Sequence, residues 1–338
     1  MTPSSSSSLP CAIRGIGITF VAAIALVVGS PAQDPGHVHE PFYTTRKQEP
    51  DGSWSAERGG GTADARLRVT ALMLLAKLGD GVKFEPDEQW RGTAREHEPV
   101  SLRRGVQWLR QQLDKKGRFG IRPDAAWLLD HAMATYVLAE ALRLCNEANL
   151  ESDLCRAMDA LRQQVGIARP PVGAQVRLWG EMIVRSVGQL PSAEPGADRP
   201  APQVSAKALT AAIAALPAVE GKTPREQAAA NLRLILAGGE GEPVTVAWLA
   251  EPLHDPLTSF YVALAAWHRG GGKEWLDVSK LIERDVMKTQ VRTGPDHGSW
   301  QPVGDFGKDN GCYGTTAVAI LVGEIYYHRS CLDFVRDE

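Results

Sequence analysis

Gln48-Glu49-Pro50-Asp51-Gly52-Ser53-Trp54, read together with Thr70-Ala71-Leu72-Met73-Leu74-Leu75, is the stretch that decides the fold. An aromatic residue closes a glycine-containing turn, and a threonine follows sixteen residues later inside a run of helical apolar spacing. The interval recurs twice. Phe119 follows Gly117-Arg118 and lies sixteen residues before Thr135, and Trp300 follows Gly298-Ser299 and lies sixteen residues before Thr316. Each turn has glutamine upstream of it, at Gln48, Gln111-Gln112 and Gln290, and Gln163-Gln164 echoes this where the aromatic is lost. Equal intervals of this kind mark internal repeats. Trp54 and Phe119 stand 65 residues apart, and the 181 residues from Phe119 to Trp300 leave room for two or three degenerate units, so about five helix pairs are expected.

The segments between the turns support helices. Leu67, Ala71, Leu74 and Leu78 share one helical face, as do Leu102, Val106, Leu109 and Leu113. Leu128, Ala132, Thr135, Ala139 and Leu142 repeat the pattern, as do Leu154, Met158, Leu161 and Val165, and Ala317, Ile320, Leu321 and Ile325. Strand-type alternation is scarce, and clusters such as Gly59-Gly60-Gly61, Pro170-Pro171 and Gly238-Gly239 punctuate the helices. Residues 190–204 are rich in proline and read as an exposed insertion. A single repeat domain is expected over 45–330, followed by a C-terminal tail at 331–338.

With 338 residues, 43% of them apolar, and a net charge of −3, the composition is that of a globular protein. Charges of both signs are interspersed and no basic stripe stands out, which argues against nucleic acid as a partner. Arg14 precedes an apolar run from Ile16 to Val28, and Ser30-Pro31-Ala32 supplies small residues for cleavage near Ala32–Gln33. Residues 1–32 are therefore expected to be a signal peptide or, uncleaved, an N-terminal anchor and the chain's sole membrane contact; residues 33–44 are expected to be a flexible segment of an exported, periplasmic or extracellular protein. Export permits disulfides. Cys145 and Cys155 flank a polar segment able to turn between antiparallel helices and could pair if those helix ends meet, whereas Cys312 and Cys331 flank an apparent helix too long to bring them together.

The turn segment and the later Gly298-Ser299-Trp300 resemble the Gln-Trp repeats of squalene and terpenoid cyclases and of prenyltransferase beta subunits. The run from Gly311 to Tyr327 resembles the end of such domains in exported bacterial proteins. The resemblance covers roughly residues 45 to 330 and implies an all-α fold, an α/α toroid of about five or six repeated helix pairs. It also gives the repeat residues a structural role: Gln48, Asp51, Gly52, Ser53, Trp54 and Thr70 in the first unit, Gln112, Gly117, Phe119 and Thr135 in the second, and Gln290, Gly298, Ser299, Trp300 and Thr316 in the last. Glycine permits the tight turn, the ring buries a large apolar area, and glutamine or aspartate satisfies backbone groups at helix ends.

Catalytic motifs known on this scaffold are largely missing. The Asp-x-Asp-Asp acid of squalene–hopene cyclases does not occur, nor does the Cys-Gly-Glu-Gln sequence of complement-type thioester proteins. Asp309, Cys312 and His328 follow the order of a prenyltransferase zinc site, without its close Asp-x-Cys pair. Gly311-Cys312-Tyr313-Gly314 resembles a zinc-binding segment of lanthionine cyclases, yet the accompanying Cys-His pair is absent, and Cys312-Tyr313 reads equally as a helix start. His37-x-His39-Glu40 lacks further metal ligands. Asp130, His131 and Tyr136 fall where an inner helix begins and are the candidates for lining a cavity mouth, as in a toroid polysaccharide lyase. A histidine there is more often a hydrogen-bonded packing residue than a base. The expected function is a binding or scaffold module with no cofactor, its ligand an unidentified protein, peptide, glycan or lipid. The alternative is an enzyme on this scaffold acting on an isoprenoid or a polysaccharide.

Overall fold

In the computed structural model helices joined by turns and loops make up the described residues, which are 41–120, 125–167, 173–190, 202–216, 223–239, 241–242, 255–270, 272–327 and 330–332. The helices are α1 (Pro41–Arg46), α2 (Arg66–Gly79), α3 (Glu98–Gln111), α4 (Ala125–Cys145), α5 (Glu151–Ile167), α6 (Ala174–Gly188), α7 (Pro202–Ala214), α8 (Pro224–Leu236), α9 (Pro256–His268), α10 (Gly272–Asp285) and α11 (Gly304–Tyr326). Two kinds alternate. Helices α2, α9 and the second half of α11 are buried on nearly every side, as a helix apolar all round must be, whereas α8 and α10 bury a single stripe.

Helices α2, α4, α6, α8, α9 and α11 form an inner ring. Helix α2 packs on α4, α4 on α6, and α9 on α11, while α8 bridges α6 and α9. Helix α11 returns to pack along α2, so the ring closes. The fold is thus an all-α toroid. At the seam the chain approaches itself closely. Gly311, at φ +66°, breaks α11 so that its second half starts at Cys312, and a side chain at Gly311 would overlap the Gly59 carbonyl. Thr62 N–H donates to the Asp309 carbonyl at 2.8 Å across the same seam.

The repeat turns tie one unit to the next. The Trp54 amide donates to Thr70 Oγ1 at 3.1 Å and the Trp300 amide to Thr316 Oγ1 at 3.0 Å, which gives the sixteen-residue interval a physical origin. Their indoles donate to Thr44 and Val286 carbonyls, each at 2.7 Å. Gln48 Nε2 donates to the Gly52 carbonyl and to Ser101 of α3, both at 2.8 Å, and Gln290 Nε2 to the Gly298 carbonyl at 3.2 Å. Asp51 Oδ1 accepts from the Ser53 amide and hydroxyl, and Ser299 Oγ donates to the Asp296 carbonyl. An arginine of a neighbouring helix reaches each turn: Arg104 to the Pro50 carbonyl at 2.6 Å, Arg156 to the Asp114 carbonyl at 3.1 Å, and Arg46 of α1 to the Pro295 carbonyl at 2.8 Å. Gly52 (φ +99°) and Gly117 (φ +79°) must be glycine, because a Cβ would overlap the Arg104 and Arg156 carbonyls.

The second unit departs from this pattern. The Phe119 amide donates to His131 Nδ1 at 3.3 Å, and Thr135 Oγ1 turns back to the His131 carbonyl of its own helix at 2.7 Å. Gln112 Nε2 likewise stays within its own helix, donating to the Trp108 carbonyl at a long 3.4 Å.

Some expected boundaries shift. Residues 41–44, expected to be flexible, belong to α1, where Tyr43 and Thr44 are buried because the Trp54 indole anchors the Thr44 carbonyl. Residues 202–204, placed in the proline-rich insertion, open α7. Within the expected tail, Leu332 is fully buried. Residues 1–40, with the signal segment and His37 and His39, lie outside the described residues, as do 191–201 of the insertion. Among the described residues no helix is long and apolar enough to cross a membrane.

Candidate functional site

The first turns of α2 and α4 and the side of α3 enclose an open cleft of about 400 Å³, lined by Asp51, Arg66, Trp108, Gln112, Trp127 and Asp130. Each lining residue has a structural reason to be there. Arg66 opens α2 and is held by Asp51 Oδ2 at 2.6 Å and by Ser53 Oγ, with its guanidinium over the Trp108 ring at 5.6 Å. Trp127, in the first turn of α4, donates its indole N–H to the Phe119 carbonyl at 2.6 Å. Asp130, one helical turn further, is almost fully buried and pairs with Arg68 of α2 at 2.5 Å. Burial acts to raise the Asp51 carboxyl, but hydrogen bonds from Ser53 and the Arg66 cation outweigh it and hold the group below the usual carboxylate range. The cleft therefore presents a carboxylate and a guanidinium beside two indoles.

Of the three residues expected at a cavity mouth, only Asp130 lines this cleft. His131 is fully buried, stacks on Trp127 at 5.1 Å, accepts the Phe119 amide on Nδ1 and lies 3.0 Å from the Ala157 carbonyl on Nε2. Both nitrogens are used, which fixes the tautomer with the proton on Nε2. Burial pushes the imidazole down to about 4, so the ring is neutral at pH 7. It is a bracket between the second turn and α5 rather than a base facing a ligand. Tyr136 points into the ring, fully buried, 5.6 Å from the Trp179 ring. Trp179 in turn stacks on Phe260 at 6.3 Å and donates to Tyr261 Oη at 2.9 Å. Aromatic side chains of α4, α6 and α9 thus pack on one another.

The structure places two of the three residues considered as metal ligands. Asp309 is exposed and uses its carbonyl at the seam, whereas Cys312 is half-buried with its thiol 3.6 Å from Tyr43 Oη. His328 lies outside the described residues, and among those described no three His, Cys, Asp or Glu side chains come together as a metal site. Cys145, Cys155, Cys312 and Cys331 form no disulfide with one another. The pairing considered for Cys145 and Cys155 does not form because the two face different neighbours: Cys145 lies against the Phe84 backbone and Cys155 against Ser205 of α7. Burial pushes the Cys145 thiol up to about 11.

Sequence reasoning missed Arg66, Arg68, Trp108 and Trp127 as companions of Asp130. Trp127 and Asp130 are three residues apart, a same-face spacing on a helix, and that was the available signal. Arg66, Arg68 and Trp108 arrive from other elements and carry no such mark. A second, smaller pocket of about 120 Å³ beside Trp300 is lined mainly by apolar groups, among them Pro256, Val286, Val303 and Val322.

No protein-family model matches the sequence, and no curated protein does. Among solved structures the chain is similar to one described as a novel alpha-amylase from Clostridium perfringens, at 11% identity and a TM-score of 0.47, over 77% of this chain and 85% of that one.

Proposed function

We propose that this chain is an exported, non-catalytic α/α toroid that binds a glycan in the cleft between α2, α3 and α4. The observation that carries this reading is the lining itself: an ionised Asp51, Arg66 and Asp130, the last held from behind by Arg68, beside the Trp108 and Trp127 rings. Sugars combine apolar C–H faces, which suit indole rings, with hydroxyls that need fixed donors and acceptors. An isoprenoid would need an apolar wall instead, and the aromatic rings of α4, α6 and α9 are spent on mutual packing. Binding is favoured over catalysis because His131 has both nitrogens engaged and the Asp130 carboxylate is held by Arg68. The N-terminal pattern of Arg14, Ile16–Val28 and Ser30-Pro31-Ala32 supports export.

Titration calorimetry of the purified protein against neutral and uronic-acid oligosaccharides tests the reading. Binding is expected for at least one class, weakened about tenfold or more in Arg66→Gln, roughly the worth of a charge-assisted hydrogen bond. Absence of binding up to millimolar sugar, or binding indifferent to Arg66→Gln, refutes it. Appearance of cleaved or unsaturated products would favour the enzyme alternative. N-terminal sequencing of the exported protein is expected to begin at Gln33.

A further inference from the structure

The opposite end of the inner ring holds a buried acid that neither the repeat nor the cleft uses. Glu324, near the end of α11, is fully buried. Its Oε2 is 3.3 Å from the Ser330 hydroxyl, and its Oε1 has no hydrogen-bond partner. The carboxyl presses against Gly79 at the end of α2, where a Cβ would overlap it. Over this carboxyl runs a short strap, Ser330 to Leu332. The Cys331 amide donates to the Gly79 carbonyl at 2.7 Å, Arg143 of α4 donates to the Cys331 carbonyl at 2.7 Å, and the Leu332 side chain is fully buried. Three residues therefore join the ends of α2, α4 and α11, at the end of the α2–α11 contact remote from Gly311.

The charged surroundings of Glu324 are unfavourable to its ionised form. Asp80, at the end of α2, adds negative charge and is itself held by Arg95 at 2.6 Å. Cys331 faces the carboxyl from the strap. The Arg143 cation of α4 is turned to Glu140 at 2.5 Å and to the strap carbonyl. Lys77 on α2 points to Glu98, Thr44 and Thr45. No cation pairs with Glu324 among the described residues. Burial, with Asp80 second, raises its carboxyl well above the ordinary range.

We propose that the strap Ser330–Leu332 is a proton-held latch on the ring: it stays closed while the Glu324 carboxyl is protonated and opens to water when that carboxyl ionises. An ionised Glu324 cannot remain beneath the strap without a partner for its charge, and water can reach it only if Ser330, Cys331 and Leu332 move away. The sign follows from linkage. In the open form the carboxyl has an ordinary affinity for protons, so opening releases a proton at any pH above about 4.5, and the open population rises with pH. The increase is about tenfold per pH unit and levels off once the closed form also ionises.

Hydrogen exchange of the full chain between pH 5 and 8, read on the peptide that contains Cys331 and Leu332 and divided by the intrinsic rate at each pH, measures the opening. The expected result is an opening constant that climbs with pH in the wild type and stays flat in Glu324→Gln, while peptides from α5 stay flat in both. Ser330→Ala keeps the carboxyl and is expected to keep the climb, which preserves the test should Glu324→Gln not fold. A flat wild-type or Ser330→Ala profile, an equal climb in Glu324→Gln, or an α5 climb parallel to that of the strap overturns the latch.

Discussion

At the first and last repeat turns the aromatic amide is received by a threonine; at the second it is received by a histidine. Trp54 and Trp300 donate to Thr70 and Thr316 at 3.1 and 3.0 Å, while Phe119 donates to His131 at 3.3 Å. The histidine sits one helical turn earlier than Thr135, and its longer ring makes up the distance. It also does more, since Nε2 reaches the Ala157 carbonyl and so joins the turn to α5. What is preserved across the units is an acceptor for one buried N–H, not the residue that supplies it. A buried amide left without a partner costs about 1–3 kcal/mol, which explains why a unit that loses its threonine acceptor needs a substitute.

The aromatic anchors should show the largest effect. Trp54 is fully buried and its indole holds the Thr44 carbonyl, so Trp54→Ala is expected to destabilise the ring by about 3–5 kcal/mol in chemical denaturation. A loss under about 1 kcal/mol would mean that the turn is not what joins the units.

The histidine adds a pH dependence that the threonine turns lack. The imidazole of His131 falls from 6.5 unfolded to about 4 folded, a depressed value set by burial. The unfolded chain then binds the extra proton between these limits, so this bracket is worth most above about pH 6.5 and is lost as the pH falls toward 4. The difference amounts to something on the order of 3 kcal/mol. Denaturation of the wild type and of His131→Gln from pH 4 to 7 should show the wild type losing more stability on acidification. Parallel curves would return His131 to an accessible, ordinarily titrating group. Glu324 works with the opposite sign, so the two buried groups squeeze stability from both sides.

The toroid was legible because a repeat has to place the same bond at the same distance along the chain. Trp54 to Thr70 and Trp300 to Thr316 are such bonds, written directly as intervals. Counting alone, however, assigned the same role to Thr135, and here the count is right while the chemistry is not. His131 was open to two readings, because a polar residue at the start of an inner helix faces either a cavity or the turn beside it, and only the neighbours decide. The cleft was legible only through Asp130. Its other walls come from α2 and α3, and what unites Arg66, Trp108 and Asp130 is ring curvature, which no local pattern records. The strap at 330–332 was missed for a related reason. Short terminal segments read as tails unless their backbone partners, here Gly79 and Arg143, are known.

The smallest expected effect is also the sharpest discriminator between the two kinds of turn. Thr70→Val and Thr316→Val keep shape and volume but strip the acceptor from a buried amide, and each is expected to cost about 1–2 kcal/mol. Thr135→Val removes only a bond from a hydroxyl to the carbonyl four residues back on its own helix, where that carbonyl is already in the helical ladder. Its cost should lie within about 0.5 kcal/mol of zero. Measured side by side by urea denaturation, a Thr135→Val as costly as Thr70→Val would show that the threonine, not the histidine, holds the second turn. A neutral Thr135→Val beside a costly Thr70→Val would instead show that the repeat tolerates exchange of its acceptor, so that units lacking any threonine at the sixteenth position can still be full members of the ring.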